Sequence, residues 1–151
     1  MNTLQTHVSI DTSDLAATVA FYRALLDAEP ALQRADYARF DVADPPLVLG
    51  LNAVSGKVPA STGALEHLGI HFPSEAELDA ARERLARLDT PLASEPETEC
   101  CYARLSRAWA TDPSGVRWDL FVTLEPVVDM PSRAGRADSC CAPDCCATIE
   151  P

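Results

Sequence analysis

His7-Val8-Ser9-Ile10-Asp11-Thr12-Ser13-Asp14 lines up with His67-Leu68-Gly69-Ile70-His71-Phe72-Pro73-Ser74, 60 residues further along the chain. The same offset carries Ile10 onto Ile70 and Leu25 onto Leu85. An internal repeat of this kind sets the architecture before any single element is considered. Each half reads as a strand, a helix and then two or three more strands. Two such halves predict an α+β fold with paired sheets, in which the first strands present His7 and His67 in equivalent places.

Working outward, Thr6 to Ile10 is a short β-type run, and Asp11-Thr12-Ser13 offers helix N-caps. Leu15, Val19, Tyr22, Leu25 and Leu26 then fall at helical spacing, and Pro30 stops the helix near Ala28. Tyr37–Val42 and Leu47–Leu51 read as strands on either side of Pro45-Pro46. Val54 to Gly63 lacks periodicity and reads as a linker. In the second half Leu65–Phe72 reads as a strand. Ser74 and Glu77 have capping-box spacing, and Leu78, Ala81, Leu85 and Leu88 form a helical stripe. Cys101–Leu105, Arg107–Thr111 and Val116–Thr123 are the remaining predicted strands, with a turn at Asp112-Pro113-Ser114-Gly115. The expected organisation is a domain over residues 1–125, with modules at about 1–62 and 63–125, followed by a flexible Cys-rich tail over 126–151.

Composition narrows the function. A 151-residue chain that is 47% hydrophobic can bury a real core. A net charge of −11 argues against nucleic acid and against anionic membrane surfaces. The first residues carry no basic, apolar leader, and no apolar stretch approaches the roughly 20 residues of a membrane span. A cytoplasmic location is expected, where thiols stay reduced and read as metal-binding or redox groups.

The six cysteines occur as three adjacent pairs: Cys100-Cys101, Cys140-Cys141 and Cys145-Cys146. Neighbouring thiolates form a soft bidentate site for Cu(I), Zn(II), Cd(II) or As(III). One such pair alone would more simply be two small core residues at a strand start. On a regular strand adjacent side chains point to opposite faces, so Cys100 and Cys101 share an ion only where the backbone is irregular. Pro96, Glu97 and Glu99 suit a mobile loop there.

Two of the three histidines occupy matched positions of the repeat, which is how a metal site is built between halves. Asp119 lies between Trp118 and Leu120 on an otherwise apolar strand, where an unpaired carboxylate is costly to bury. Two His and one carboxylate with open positions match the donor set of non-haem Fe(II) oxygenases. The alternative is a surface aspartate and two core histidines with ordinary partners. His71 is four residues from His67 on the same face, about 13 Å away at strand rise, too far to share one ion.

These residues resemble the vicinal oxygen chelate superfamily, which includes glyoxalase I, bleomycin-resistance proteins and extradiol dioxygenases. Within it, the chain is most similar to the cadmium-inducible and organoarsenical carbon–arsenic lyase group. The matching segments are the first strand with His7, SDLAATVAFYRALLDAEPA, YARFDVADPPLVLGL, LEHLGIHF, TECCYA, DPSGVRWDLF and the CCAPDCC tail. The resemblance implies two βαβββ modules forming mixed sheets around a metal site. It also implies an Fe(II)-dependent dioxygenase, other divalent metals being compatible, that uses O2 to break the C–As bond of trivalent methyl- or aryl-arsenicals. His7, His67 and Asp119 would be the metal ligands, and Cys100 and Cys101 would bind arsenic. Cys140, Cys141, Cys145 and Cys146 would gather or hand over the thiophilic ion. The family usually carries Glu where this chain has Asp119, which is one methylene shorter, and superfamily members are often dimers. A non-catalytic Cd(II) or As(III) buffer is the competing reading, and a glyoxalase-type enzyme the third. The latter wants a fourth ligand, yet the position 60 residues before Asp119 is Pro59.

Overall fold

A computed structural model describes residues 4–56, 65, 67–100 and 103–126. Module one runs β1 (Thr6–Thr12), α1 (Leu15–Leu26), β2 (Leu32–Gln33), β3 (Tyr37–Val42) and β4 (Leu47–Ala53). Module two runs β5 (Leu68–His71), α2 (Glu75–Ala86), β6 (Leu92–Cys100), β7 (Ala103–Thr111) and β8 (Arg117–Pro126). Each module is thus βαβββ, and each closes one four-stranded sheet. The strand orders, β1-β4-β3-β2 and β5-β8-β7-β6, are the same permutation. In both, the first strand lies parallel to the last, and the remaining pairings are antiparallel.

Local chemistry explains the boundaries. Asp14 caps α1 by accepting from the Ala17 N–H at 2.9 Å, and Asp27 ends it in a left-handed conformation, φ 49°. Ser74 caps α2 through the Glu77 N–H. The α2 helix stops at Ala86, so Leu88, expected in its buried stripe, lies beyond the last turn and is exposed. Residues 92–100 form a strand, which includes Pro96, Glu97 and Glu99, where a loop is expected. The hairpin partner β7 supplies the backbone pairing, and the irregular sequence appears only as a register shift between Glu95 and Thr98. Arg107–Thr111 is likewise no separate strand but the end of one that begins at Ala103. The two-residue strand β2 carries no sequence signal of its own. The linker over 57–64 and the tail from 127 onward lie outside the described residues.

The core lies between the modules. Val19, Tyr22 and Leu25 of α1 and Leu78 and Leu85 of α2 pack in one cluster with Phe40, Leu49, Trp118 and Leu120 from both sheets. The repeat-related Leu25 and Leu85 are both buried, as their matched spacing requires. Polar links also cross the junction. The Tyr22 hydroxyl donates to Asp112 Oδ2 at 2.6 Å and accepts from Trp118 Nε1 at 3.1 Å. Arg84 Nε donates to the Ala24 carbonyl at 2.7 Å, in the last turn of α1, where a cation complements the helix dipole. Asp112 also accepts from the backbone N–H of Ser114 and Val116, which fixes the β7–β8 turn. Among the described residues no helix is long and apolar enough to cross a membrane.

Burial first, then the Asp112 carboxylate, raise the Tyr22 pKa well above its usual value. Folding therefore favours the protonated phenol. The stability it contributes is complete below the unfolded value of about 10 and is lost as pH rises above it. Tyr22→Phe should cost about 1–3 kcal/mol in urea unfolding at neutral pH. The gap between variant and wild type should narrow above pH ~10; a gap constant with pH would contradict the assignment.

Candidate metal centre

Strand alternation sorts the candidate ligands onto one kind of surface. In β1, Val8 and Ile10 pack toward the helices, while His7, Ser9 and Asp11 face the other way and are exposed. In β8, Trp118, Leu120 and Val122 enter the core, so Asp119 and Phe121 lie on the opposite face. His7 and Asp119 therefore both lie on sheet faces turned away from the helices.

The parallel pairing defines what sits beside each histidine. Ser9 pairs with Gly50, and the repeat-related Gly69 pairs with Asp119. Gly50 is thus the structural equivalent of Asp119, in place of Pro59, which the 60-residue offset suggests. The module-one strands β2 to β4 are more compact than their counterparts, so a constant offset fails after the helix. Glycine, like Pro59, offers no ligating side chain at the matched position. A Cβ added at Gly50 would lie 3.7 Å from His7 Nε2 and 3.3 Å from the Tyr37 hydroxyl oxygen. Module one therefore offers one imidazole beside an empty position, with a phenol nearby. Module two offers an imidazole and a carboxylate.

That carboxylate is buried: Asp119 is 4% exposed. Arg107, on the neighbouring strand β7, donates from Nη2 to Asp119 Oδ2 at 2.8 Å. Its Nη1 also lies 3.9 Å from Glu95 Oε2 on β6. The guanidinium stands 5.2 Å from the Trp109 ring centre, and His67 meets the same indole edge-on at 5.0 Å. Burial raises the Asp119 pKa, with Arg107 and then His67 opposing the shift and Glu95 adding to it. Asp119 Oδ1 is buried without a hydrogen-bond partner among the described residues. An orphaned carboxylate oxygen near an imidazole is the arrangement a divalent cation would satisfy.

His67 and Asp119 are thus brought into one electrostatic cluster, and His7 sits on the other sheet. Among the described residues no three His, Cys, Asp or Glu side chains form a group that could hold a metal ion. His71 is accounted for otherwise. It stacks on Phe121 at 4.9 Å and accepts from the Thr123 N–H at 3.4 Å. Cys100 ends β6, where its backbone pairs with Ala103. Cys101 and the tail cysteines Cys140, Cys141, Cys145 and Cys146 lie outside the described residues. Sequence reasoning missed Arg107 and Glu95. An arginine inside an apolar β-run, ten residues before the turn glycine's strand resumes, carries no signal until strand pairing sets it diagonal to Asp119.

A sequence profile of the glyoxalase/bleomycin resistance protein/dioxygenase superfamily matches residues 4–120. The chain belongs to this superfamily. Its members' vicinal oxygen chelate fold is what the two repeated modules build. Among curated relatives, the cadmium-induced protein CadI of Mycobacterium tuberculosis is 36% identical over 78% of this chain and 74% of its own length. A trivalent organoarsenical cleaving enzyme of Thermomonospora curvata is 32% identical over 92% of this chain and 97% of its own. Among solved structures, a superfamily domain from Frankia sp. matches with TM-score 0.60 at 20% identity, over 82% of this chain and 99% of that one. The fosfomycin resistance protein FosX of Listeria monocytogenes matches with TM-score 0.58 at 20% identity, over 81% and 94%. These structural likenesses concern the fold.

Asp119→Ala removes the closest anionic partner of a buried guanidinium. It should lower the unfolding free energy by about 3 kcal/mol, less whatever Glu95 recovers. Chemical denaturation of the metal-free protein measures this, and a loss under about 1 kcal/mol would mean Arg107 depends mainly on Glu95.

Proposed function

We propose that the protein is an Fe(II)-dependent dioxygenase that cleaves the carbon–arsenic bond of trivalent organoarsenicals and releases arsenite. The observation that carries this reading is Asp119 Oδ1, a buried oxygen lacking a hydrogen-bond partner in the same cluster as His67, on the strand position that the repeat matches to bare Gly50. The names of the relatives, organoarsenical cleaving enzyme and cadmium-induced protein, support a thiophilic substrate.

His7, His67 and Asp119 would hold the metal. One imidazole from module one and an imidazole and a carboxylate from module two would suit Fe(II) and leave positions open, because Gly50 supplies no fourth donor. When bound, the iron would supply activation of O2 for oxidative rupture of the C–As bond. The protein's own part is capture and placement. Cys100 and Cys101 would exchange the oxygen ligands of As(III) for two As–S bonds. In the sequence Glu97 and Glu99 precede the pair, and their like charge would not favour thiolates, so the intrinsic As–S affinity would carry capture. Arg104, 3.5 Å from Glu97 and 3.0 Å from Glu125, ties this end of the β6–β7 hairpin to β8.

A second copy of the chain would complete the centre. Both ligand-bearing faces turn away from the helices, and the described residues of one chain assemble no three-ligand group. A two-fold dimer would set the His7 face of one chain against the His67–Asp119 face of the other, making two equal sites.

Arsenic speciation tests the activity. Reduced protein with Fe(II), O2 and a trivalent methyl- or phenyl-arsenical should release arsenite beyond one equivalent, only when iron and oxygen are both present. Stoichiometric binding with the organoarsenical unchanged would favour a metal or arsenic buffer instead. Cys100→Ser should abolish release while iron still binds. For the composite site, His7→Ala and His67→Ala should each be inactive alone. Mixing equal amounts should recover about a quarter of wild-type activity, through mixed dimers carrying one intact site. No recovery after verified subunit exchange would mean each chain builds its own centre.

A further inference from the structure

Arg107 presents a puzzle that the donor set alone does not resolve. A nearly fully buried cation stands against a carboxylate that a metal would use, and like charges repel. Yet its contacts are specific. Asp119 is gripped through Oδ2 at 2.8 Å, Glu95 stands 3.9 Å from the other terminal nitrogen, and the guanidinium lies 5.2 Å from the Trp109 ring centre. A second cation, Arg117, lies 4.6 Å from the same ring. The planar fork is thus positioned from three sides, by two carboxylates and an indole.

We propose that Arg107 is the positioning residue of the metal centre: it fixes Asp119 by Oδ2 and leaves Oδ1 as the one oxygen offered to a cation. The inference rests on the metal-centre reading above. An aspartate one methylene short of glutamate has little reach, so its orientation matters more. A carboxylate free to rotate would offer either oxygen, or both. Held by Arg107, Asp119 is a one-oxygen donor, which keeps coordination positions open for other ligands. The guanidinium also offsets negative charge. Glu95, Arg107 and Asp119 together carry one net negative charge with both acids ionised, instead of the two that the carboxylates alone would carry. That makes the pocket less attractive to a bare divalent ion but better defined in geometry. Glu95, 3.9 Å from Nη1, is a second ion-pair partner, so the guanidinium keeps an anion beside it when Asp119 takes up a cation. Glu95 is not itself a third ligand with His67 and Asp119, since those three do not form a metal-holding group.

Co(II) titration tests this, because its visible spectrum reports coordination number and geometry. Wild type should show a Co(II) site free of thiolate-to-metal bands, distinct from any bound by the paired cysteines, and His67→Ala should lose it. Arg107→Met should weaken binding by about 10–100-fold, the usual effect of removing a group that orients a ligand, and should change the Co(II) spectrum. Arg107→Lys, which keeps the charge but makes only a point contact, should fall between the two. A purely structural role would lower thermal stability while leaving the Co(II) spectrum and affinity of the folded fraction unchanged. Arg107→Met within threefold of wild type, with the same spectrum, would overturn the inference and leave the metal centre standing. Should Arg107→Met not fold, Arg107→Lys with wild-type affinity and spectrum would overturn it equally. Wild type that shows no such thiolate-free Co(II) site would remove the metal centre and this inference together.

Discussion

Parallel pairing between the first and last strands of each module is the constraint from which the site follows. Parallel neighbours cannot be joined by a tight turn, so each module must send its helix and two more strands across before the last strand returns. That return places Gly50 beside β1 and Asp119 beside β5, two residues beyond the histidine on the facing strand. The chemistry of the site is therefore a matter of register. A slip of one residue on β8 would turn Asp119 into the core and Trp118 out of it.

Register also explains how the fold tolerates a buried charge cluster. Arg107 pairs with Phe121 across the β7–β8 ladder, and Trp109 pairs with Asp119, so the guanidinium reaches its carboxylate along the diagonal. Glu95 pairs with Arg107 on the other side. Three adjacent strands thus each contribute one charged group to the same face. Arg107 and Asp119 are buried, Glu95 is half-buried, and both carboxylates stand against the guanidinium. Asp119 Oδ1 stays buried without a hydrogen-bond partner among the described residues, and it is the atom on which the proposed metal centre is built.

Much of this was legible in the sequence, for identifiable reasons. The repeat fixed both helices, the matched strands and the equivalence of His7 with His67, because periodicity and capping are local properties. Asp119 stood out because a carboxylate between Trp118 and Leu120 contradicts its surroundings. Strand β6 was not legible: Ser94, Glu95, Pro96 and Glu97 have no strand propensity, and the neighbouring β7 imposes the conformation. Arg107 was passed over for a related reason. Its partners are twelve residues away in one direction and twelve in the other, and only strand pairing unites them. Gly50 was hidden by the unequal lengths of the two modules after their helices.

The junction between modules has a further consequence. Tyr22 of module one is bonded to Asp112 and Trp118 of module two, and Arg84 of module two reaches back to Ala24. The relative placement of the halves is therefore set by side chains in the core, and the covalent connection between Gly56 and Leu65 need only span the gap. Such a chain is in effect a tethered pair. The angle at which the two halves present their faces is a property of the buried core, in which Tyr22, Trp118 and Asp112 join one module to the other.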